Sequence, residues 1–323
     1  MVRVSTLPKK LQPMLATLTD APFDDKGWVF EDKYDGFRMV AKIENGSVTL
    51  YSRNGIIISH SYVEVAQALE AVKGDAVIDG ELVAIGKDGV SHFQLLQNAL
   101  RHEAKLQYVA FDIMFQDGED LRGLTLLERK KRLKAILPKH KLIAFSRHRA
   151  ASGTKFFAEA ERKGLEGIMA KHADSEYLSG ARTDAWLKIK TSRRQEVVIA
   201  GFTAPRRTRP FFGALTLALR EGNGWRYIGH VGTGFSHETL EDLHKKLVKL
   251  KTSKSPFAEK VKDEAVTTWV RPRLVAEVKF TEWTSSGEMR HPVYLGLRAD
   301  KNAKDVVLER EKKPAVRRQS SRR

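Results

Sequence analysis

The stretch Glu31-Asp32-Lys33-Tyr34-Asp35-Gly36-Phe37-Arg38 places a lysine two residues before an Asp-Gly pair and an arginine five residues after that lysine. A lysine beside a phosphate acts as a point-charge clamp or, once deprotonated, as a nucleophile. On its own the octapeptide also describes a charged surface hairpin. Its neighbours decide between these readings.

Working outward, residues 28–115 hold short runs rich in Val, Ile, Phe and Tyr, separated by Gly or Asn-Gly, which read as strands. Asn45-Gly46 between two such runs predicts a hairpin with a type I′ turn. Residues 62–73 put Val65, Leu69 and Val72 on one helical face and stop at Gly74. Thr125 and Glu128 form a capping box for a helix running to about Leu137, ahead of Pro138. Residues 154–163 predict a third helix, ending at Gly164. Residues 1–27, punctuated by Pro8, Pro13 and Pro22, read as an irregular lead. Strands and helices out of strict alternation give an α+β class.

The texture changes near residue 191. Short strands follow, with a basic loop at 204–210 and one helix at about 237–250 carrying Leu240, Leu243, Leu247 and Leu250. That pattern suits a small all-β Greek-key barrel of the oligonucleotide-binding (OB) type. The expected domains are 1–192, 193–308 and a basic, disordered tail at 309–323, with a hinge near 191–195.

The chain has 323 residues, enough for about two domains. Its net charge of +17 favours a polyanionic partner, nucleic acid first. Absence of cysteine removes disulfides, thiolate nucleophiles and Cys-bound zinc. The ten histidines are scattered, with no pair at metal-binding spacing. No leader h-region and no membrane-length apolar stretch are present, so the expected location is cytoplasmic and nucleoid-associated.

Further segments follow the lysine in a fixed order: Ser52-Arg53-Asn54-Gly55, Asp79-Gly80-Glu81-Leu82, Ala110-Phe111-Asp112, Glu166-Gly167-Ile168-Met169-Ala170-Lys171 and Trp186-Leu187-Lys188-Ile189-Lys190. The C-terminal part adds Met289-Arg290-His291-Pro292 and Gly296-Leu297-Arg298-Ala299-Asp300-Lys301. Lys-x-Asp-Gly-x-Arg with these companions resembles the nucleotidyltransferase superfamily of ATP-dependent DNA ligases, RNA ligases and capping enzymes. Val231-Gly232-Thr233-Gly234-Phe235, Glu277-Val278-Lys279-Phe280 and Trp283-Thr284 look closest to small bacterial ATP-dependent DNA ligases of the non-homologous end-joining type. The resemblance runs from about Pro13 to Lys304.

That resemblance implies an adenylation domain of antiparallel sheets and helices, followed by an OB-fold domain. It implies three steps: Lys33 takes AMP from ATP, AMP passes to the 5′-phosphate of a nick, and the 3′-hydroxyl displaces it. Such transfers depend on positioning and on cationic stabilisation. Lys33 must be neutral to attack, whereas an ordinary lysine titrates near ~10.4. Lys188 and Lys190 flank Ile189 on a strand, so both point to one face, which by resemblance meets the α-phosphate. Asp35 would orient Lys33 or a metal-bound water. Glu81 and Glu166 are the carboxylates for Mg2+, or Mn2+, and Glu81 also contacts the ribose. Phe111 would stack on adenine, or else be a core residue of its strand. Glu31 would accept from the adenine amino group, and Arg38 and Arg53 would contact AMP or the nick phosphate. Arg298 and Lys301 would orient the pyrophosphate.

Between residues 188 and 209 lie seven basic residues and one acidic residue. Arg193, Arg194, Arg206, Arg207, Arg209 and Arg290 are the candidates for sequence-blind phosphate contacts. Only 32 residues precede Lys33, too few for the DNA-encircling domain of larger ligases. The expected partners are therefore nicked duplex DNA, gripped through basic surface, and a Ku-type end-bridging protein, with the enzyme a monomer. RNA ligase is the alternative within the class. A binding module with a degenerate site is the alternative outside it, and the intact Lys33, Glu81, Glu166, Lys188 and Lys190 set argues against that.

Overall fold

The computed structural model describes residues 12–98, 105–205 and 209–309. The chain forms two compact units that divide between Thr191 and Ser192, the second ending at Glu309.

The first unit contains strands β1 (Leu15–Leu18), β2 (Trp28–Lys33), β3 (Phe37–Glu44), β4 (Ser47–Ser52), β5 (Ala76–Ile85), β6 (Lys105–Gln116), β7 (Glu119–Asp120), β8 (Ile143–Phe145), β9 (His148–Ala150), β10 (Gly167–His172) and β11 (Arg182–Lys190). Its helices are α1 (Val63–Leu69), α2 (Phe93–Asn98), α3 (Leu126–Ile136) and α4 (Gly153–Arg162). One sheet has the order β1-β11-β10-β2-β9 and the other β4-β3-β5-β6-β7, with β8 joined to β6.

The sheets face each other through Met14, Val29, Val40, Val77, Phe111, Met114 and Trp186. Phe30, Ile168, Ala170, Leu187 and Ile189 on the far side of the first sheet pack on Phe156 and Ala160 of α4. Met39, Ala41, Ile78 and Leu82 on the far side of the second pack with Val65 and Leu69 of α1 and Leu133 and Ile136 of α3. The unit is thus helix, sheet, sheet, helix. Its inner layer is where polar residues of both sheets meet.

Local signals produced local structure. Asn45 and Gly46 take φ of 51° and 76°, and Glu44 pairs with Ser47 across the turn. The Thr125–Glu128 capping box is formed in both directions, and α3 stops one residue before Leu137. Helix α1 ends at Leu69, earlier than the periodicity predicts, although Val72 is still buried. The lead is not wholly irregular, because Leu15–Leu18 pairs parallel to β11. The sheets are therefore mixed rather than purely antiparallel, with β6–β8 a second parallel pair. Neither parallel pairing leaves a local trace, since the partners of β1 lie more than 160 residues away.

The second unit holds β12 (Arg194–Thr203), β13 (Leu215–Glu221), β14 (Gly224–Val231), β15 (Thr267–Trp269), β16 (Val275–Lys279), β17 (Glu282–Trp283), β18 (Met289–Arg290) and β19 (Val293–Leu297). The sheet order is β14-β13-β12-β16-β19, with β15 also on β12 and β17–β18 a separate pair. Helix α5 (His237–Val248), capped by Ser236, buries Leu240, Leu243 and Leu247 against Phe202, Phe212, Leu215 and Trp269. This is a mostly-β, OB-like region.

Gly80 marks a tight point of the inner sheet. A Cβ there would lie 2.5 Å from the ring of Tyr108, which is fully buried. The Tyr108 hydroxyl donates to the carbonyls of Met39 and Ile78, so the ring has no room to retreat. Gly80→Ala is therefore expected to destabilise the first unit by about 1–3 kcal/mol, read as a lowered midpoint in calorimetric or urea unfolding. An unchanged midpoint would show that the ring moves freely.

Candidate active site

Three strands build one functional face. Across β2, β10 and β11, Lys33 pairs with Gly167 and Gly167 with Lys190. In the next row of the same face, Glu31 pairs with Met169 and Met169 with Lys188. Directly opposed residues share a face, and alternate residues along a strand share it too. Lys33, Lys188 and Lys190 therefore lie on the face turned to the second sheet, while Asp32, Ile168, Leu187 and Ile189 take the other. Glu166, immediately before β10, is buried and accepts a 2.5 Å hydrogen bond from Lys33 Nζ. Glycine is required at 167 because a Cβ would sit 2.0 Å from the Ile189 carbonyl oxygen.

The loop after Lys33 is pinned from outside. The Asp35 N–H donates to Ser91 Oγ at 3.0 Å, and Asp35 is 9% exposed. A Cβ on Gly36 would lie 2.2 Å from the Leu82 carbonyl oxygen. The Asp-Gly pair thus lets the chain pass from the first sheet into the second within a few residues of Lys33.

Glu31 is fully enclosed. Its Oε1 accepts from Lys130 Nζ at 2.6 Å, and its Oε2 accepts from Lys171 Nζ and Ser146 Oγ, both at 2.9 Å. Burial works to raise its pKa, but the ammonium groups of Lys130 and Lys171 overcome this and hold it at about 2. The adenine-amino role expected of Glu31 meets a carboxylate already occupied by three donors. The side chain acts in this structure as the anchor of a buried ion cluster.

The second sheet supplies the opposite wall. Arg38, cross-strand to Glu81, makes a bidentate pair with Asp79 and donates to the Met14 carbonyl oxygen at 3.0 Å. Burial disfavours the Arg38 charge, yet Asp79 raises its pKa further. Tyr177 donates to the same Asp79 at 2.6 Å. Arg38, expected from the sequence to contact AMP or the nick phosphate, pairs with the Asp79 carboxylate in this structure. Glu81 and Asp79 alternate along β5 and so share the inner face. Between Asp79 and Gly80 the register against β6 shifts, leaving Phe111 as the extra residue of a bulge. Bulges re-aim side chains. The Phe111 ring is 8% exposed, 4.8 Å from the Arg38 guanidinium and 4.4 Å from Lys171 Nζ. Phe111 belongs to the core between the two sheets. Arg53 is half-buried at the end of β4, in a turn where Gly55 has φ 78°.

The remaining candidates belong to the second unit. Arg298 forms a bidentate pair with Asp300 and a 3.1 Å bond to Glu277, and Lys301 pairs with Glu196 at 2.7 Å. Both cations are neutralised within that unit, so neither is presented as a bare charge. Arg209 donates to the Gly232 carbonyl oxygen and lies 5.4 Å over the Phe235 ring. Arg193 is exposed, Arg194 half-buried, and Arg290 exposed and paired with Glu282. Arg206 and Arg207 fall outside the described residues.

Sequence reasoning quoted Asp79, Asp112 and Lys171 within motifs but gave them no role, and missed Lys130, Arg129 and Tyr177. Asp112 and Arg129 form a fully buried bidentate pair. A lysine and an arginine on the apolar side of α3 were the available signal, since such residues are seldom buried without partners.

The ATP dependent DNA ligase domain family matches residues 13–190, and the ATP dependent DNA ligase C terminal region matches residues 208–301. The chain therefore belongs to the ATP-dependent DNA ligases. Within them it is related to the ligase domain of the bacterial end-joining LigD proteins. It is 37% identical over 318 residues to the multifunctional non-homologous end joining protein LigD of Pseudomonas aeruginosa, a match covering 94% of this chain and 37% of that protein. It is 36% identical over 304 residues to LigD of Mycobacterium tuberculosis strain H37Rv, covering 93% and 40%. The chain thus spans about 40% of the length of these curated relatives. Among solved structures, a mycobacterial DNA ligase D complexed with ATP and MES matches with a TM-score of 0.71 and 34% identity, over 93% of this chain and 98% of that one. The ligase domain of Mycobacterium tuberculosis LigD matches over the same shares at 0.53 and 34%.

The Glu31 cluster makes a sharp prediction. Its carboxyl is held at about 2, below the ordinary 4.5, so its contribution to stability is complete above 4.5 and is lost as pH falls from there toward 2. Glu31→Gln strands two buried ammonium groups and should cost about 3–5 kcal/mol near neutrality. The gap between wild type and variant in urea midpoint should narrow as pH falls through that window. A gap independent of pH would show that charge is not what Glu31 contributes.

Proposed function

We propose that the cleft between the two sheets of the first unit takes AMP from ATP onto Lys33, as the opening step of sealing a nick in duplex DNA. The observation that carries this reading is the row Lys33–Gly167–Lys190, with Glu166 bonded to the Lys33 amine. In the first step the neutral Lys33 Nζ attacks the α-phosphorus, a P–N bond forms, and the bond to the β-phosphate oxygen breaks, releasing pyrophosphate. The amine proton must leave, and Glu166 is the base already in hydrogen-bond contact with it. Lys188 and Lys190 neutralise the charge that gathers on the α-phosphate oxygens. AMP then moves from Lys33 to the 5′-phosphate of the nick. The 3′-hydroxyl finally displaces AMP, leaving a phosphodiester.

Glu166 and Glu81 are hard oxygen donors of the kind Mg2+ takes. No cluster of three or more His, Cys, Asp or Glu suited to a metal occurs among the described residues. A Mg2+ ion held by Glu166 and Glu81 would complete its shell with phosphate oxygens and water, and would neutralise the polyphosphate. The exposed Arg193 and Arg290 suit sequence-blind contacts to the DNA backbone. Service in end joining belongs to the same proposal, supported by the non-homologous end joining named for the LigD relatives, and a Ku-type end-bridging partner is part of it on the motif resemblance alone.

Incubation with α-labelled ATP and Mg2+ should leave label on the wild-type chain and none on Lys33→Ala. Wild type should then seal a nicked DNA duplex. A labelled Lys33→Ala chain would remove Lys33 from its role, and sealing of nicked RNA but not DNA would move the substrate.

A further inference from the structure

Lys33 is the last residue of β2 and is laddered on one side: Gly167 of β10 pairs with it, whereas the pairing with β9 ends at Glu31. The next three residues, Tyr34, Asp35 and Gly36, carry the chain from the first sheet to the second, where β3 begins at Phe37 opposite Leu82. The lysine thus stands where its strand ends, and the loop that follows takes part in setting its place. That loop lies hard against β5. A Cβ on Gly36 would meet the Leu82 carbonyl oxygen at 2.2 Å and Val83 Cγ1 at 2.9 Å.

The segment between β5 and α2 grips this crossing at two points. The Asp35 N–H donates to Ser91 Oγ, with both residues buried, and the Phe93 ring meets the Phe37 ring edge-on at 5.0 Å between centroids. Ser91 is fixed by the main chain around it. It is bridged to Ile85 across a tight return, which is closed by the Gly86 N–H on the Val90 carbonyl at 2.8 Å and the His92 N–H on the Ala84 carbonyl at 3.0 Å. Asp88 completes the turn by accepting from the Val90 N–H and bonding the His92 ring. None of these bonds uses the Ser91 hydroxyl, which extends from a finished turn to the loop beside Lys33. Buried N–H groups in folded proteins are nearly all paired, and Ser91 Oγ accepts that of Asp35.

We propose that Ser91 is a positioning residue for adenylate transfer: by holding the Asp35 N–H it fixes the 34–36 loop on the second sheet and keeps the Lys33 amine in line with the α-phosphorus. It acts through Asp35, two residues from the attacking group. In-line attack tolerates little misplacement, and an error of about 1 Å can cost on the order of a hundredfold in rate. Removal of the hydroxyl strands a buried N–H, and the loop must shift to find it another partner. The loss therefore falls on the rate of transfer and not on the affinity for ATP. The inference rests on the reading of Lys33 as the nucleophile.

The test is single-turnover labelling of the full chain over a range of ATP concentrations in Mg2+. Ser91→Ala should lower the rate of lysyl-adenylate formation at saturating ATP by roughly five- to tenfold, with the half-saturating ATP concentration within about twofold of wild type. Ser91→Thr, which keeps the hydroxyl, should recover the rate. Hydrogen exchange at the Asp35 amide should be faster in Ser91→Ala than in wild type or Ser91→Thr. If the alanine variant fails to fold by circular dichroism, Ser91→Cys, close in size but a weaker acceptor, carries the same expectation of a lowered rate. An unchanged rate in folded Ser91→Ala or Ser91→Cys, whatever the unfolding midpoint, overturns the inference while leaving Lys33 in its role. So does a rate that Ser91→Thr does not recover, or a weaker ATP saturation at an unchanged rate. No label on wild type, or equal label on Lys33→Ala, overturns the reading of Lys33 and the inference with it.

Discussion

Lys33 and Lys190 share a row because the residue between them has no side chain. Any Cβ at Gly167 would meet the Ile189 carbonyl, and β10 could not lie between β2 and β11 at ladder spacing. Three cations and the Glu166 carboxylate converge because three strands hold this register. A slip of one residue would send Lys33, Lys188 and Lys190 to the face that packs on α4. The hydrophobic residues on that outer face, Phe30, Ile168, Leu187 and Ile189, are what prevent the slip. Core packing behind the sheet and chemistry in front of it are two consequences of one alternation.

Ionic ties then join the layers. Glu31 of the first sheet grips Lys130 of α3, and Arg38 of the second sheet reaches back to the Met14 carbonyl. Tyr177, which follows β10, donates to Asp79 of β5. Buried ion pairs add little net stability, since desolvation offsets their attraction. What they supply here is geometry. Each tie has defined donors and acceptors, so the separation and register of the inner faces are set more narrowly than apolar packing alone would set them. A cleft that stabilises a charged transition state benefits from walls that need no rearrangement during reaction.

The second unit repeats this economy of charge. Arg298 and Lys301 were conspicuous in the sequence as cations, but their partners Glu196, Glu277 and Asp300 were not. Two of those partners reside on β12 and β16, and their approach to Arg298 follows from the β12–β16–β19 pairing. Arg38 behaves in the same way through Asp79. Reading a basic residue as available for phosphate assumes that it has no nearer anion, and residues distant in sequence decide that.

Much was legible in the residues alone. Turns, caps and helix stops depend on contacts between near neighbours, so Asn45-Gly46, the Thr125–Glu128 box and the Gly164 stop could be read directly. The strict alternation of Lys188, Ile189 and Lys190 already assigned both lysines to one face. Motif order was enough to identify the ligase class. Tertiary structure alone decided which counter-charge each of the named side chains meets. Strand pairing and helix packing, over separations of 41 to 140 residues, placed Lys130 and Lys171 on Glu31, Asp79 on Arg38, and His148 in the Glu31 row. Electrostatic partnership falls off within a few ångströms in space, and chain separation carries no information about it until the fold brings the groups together.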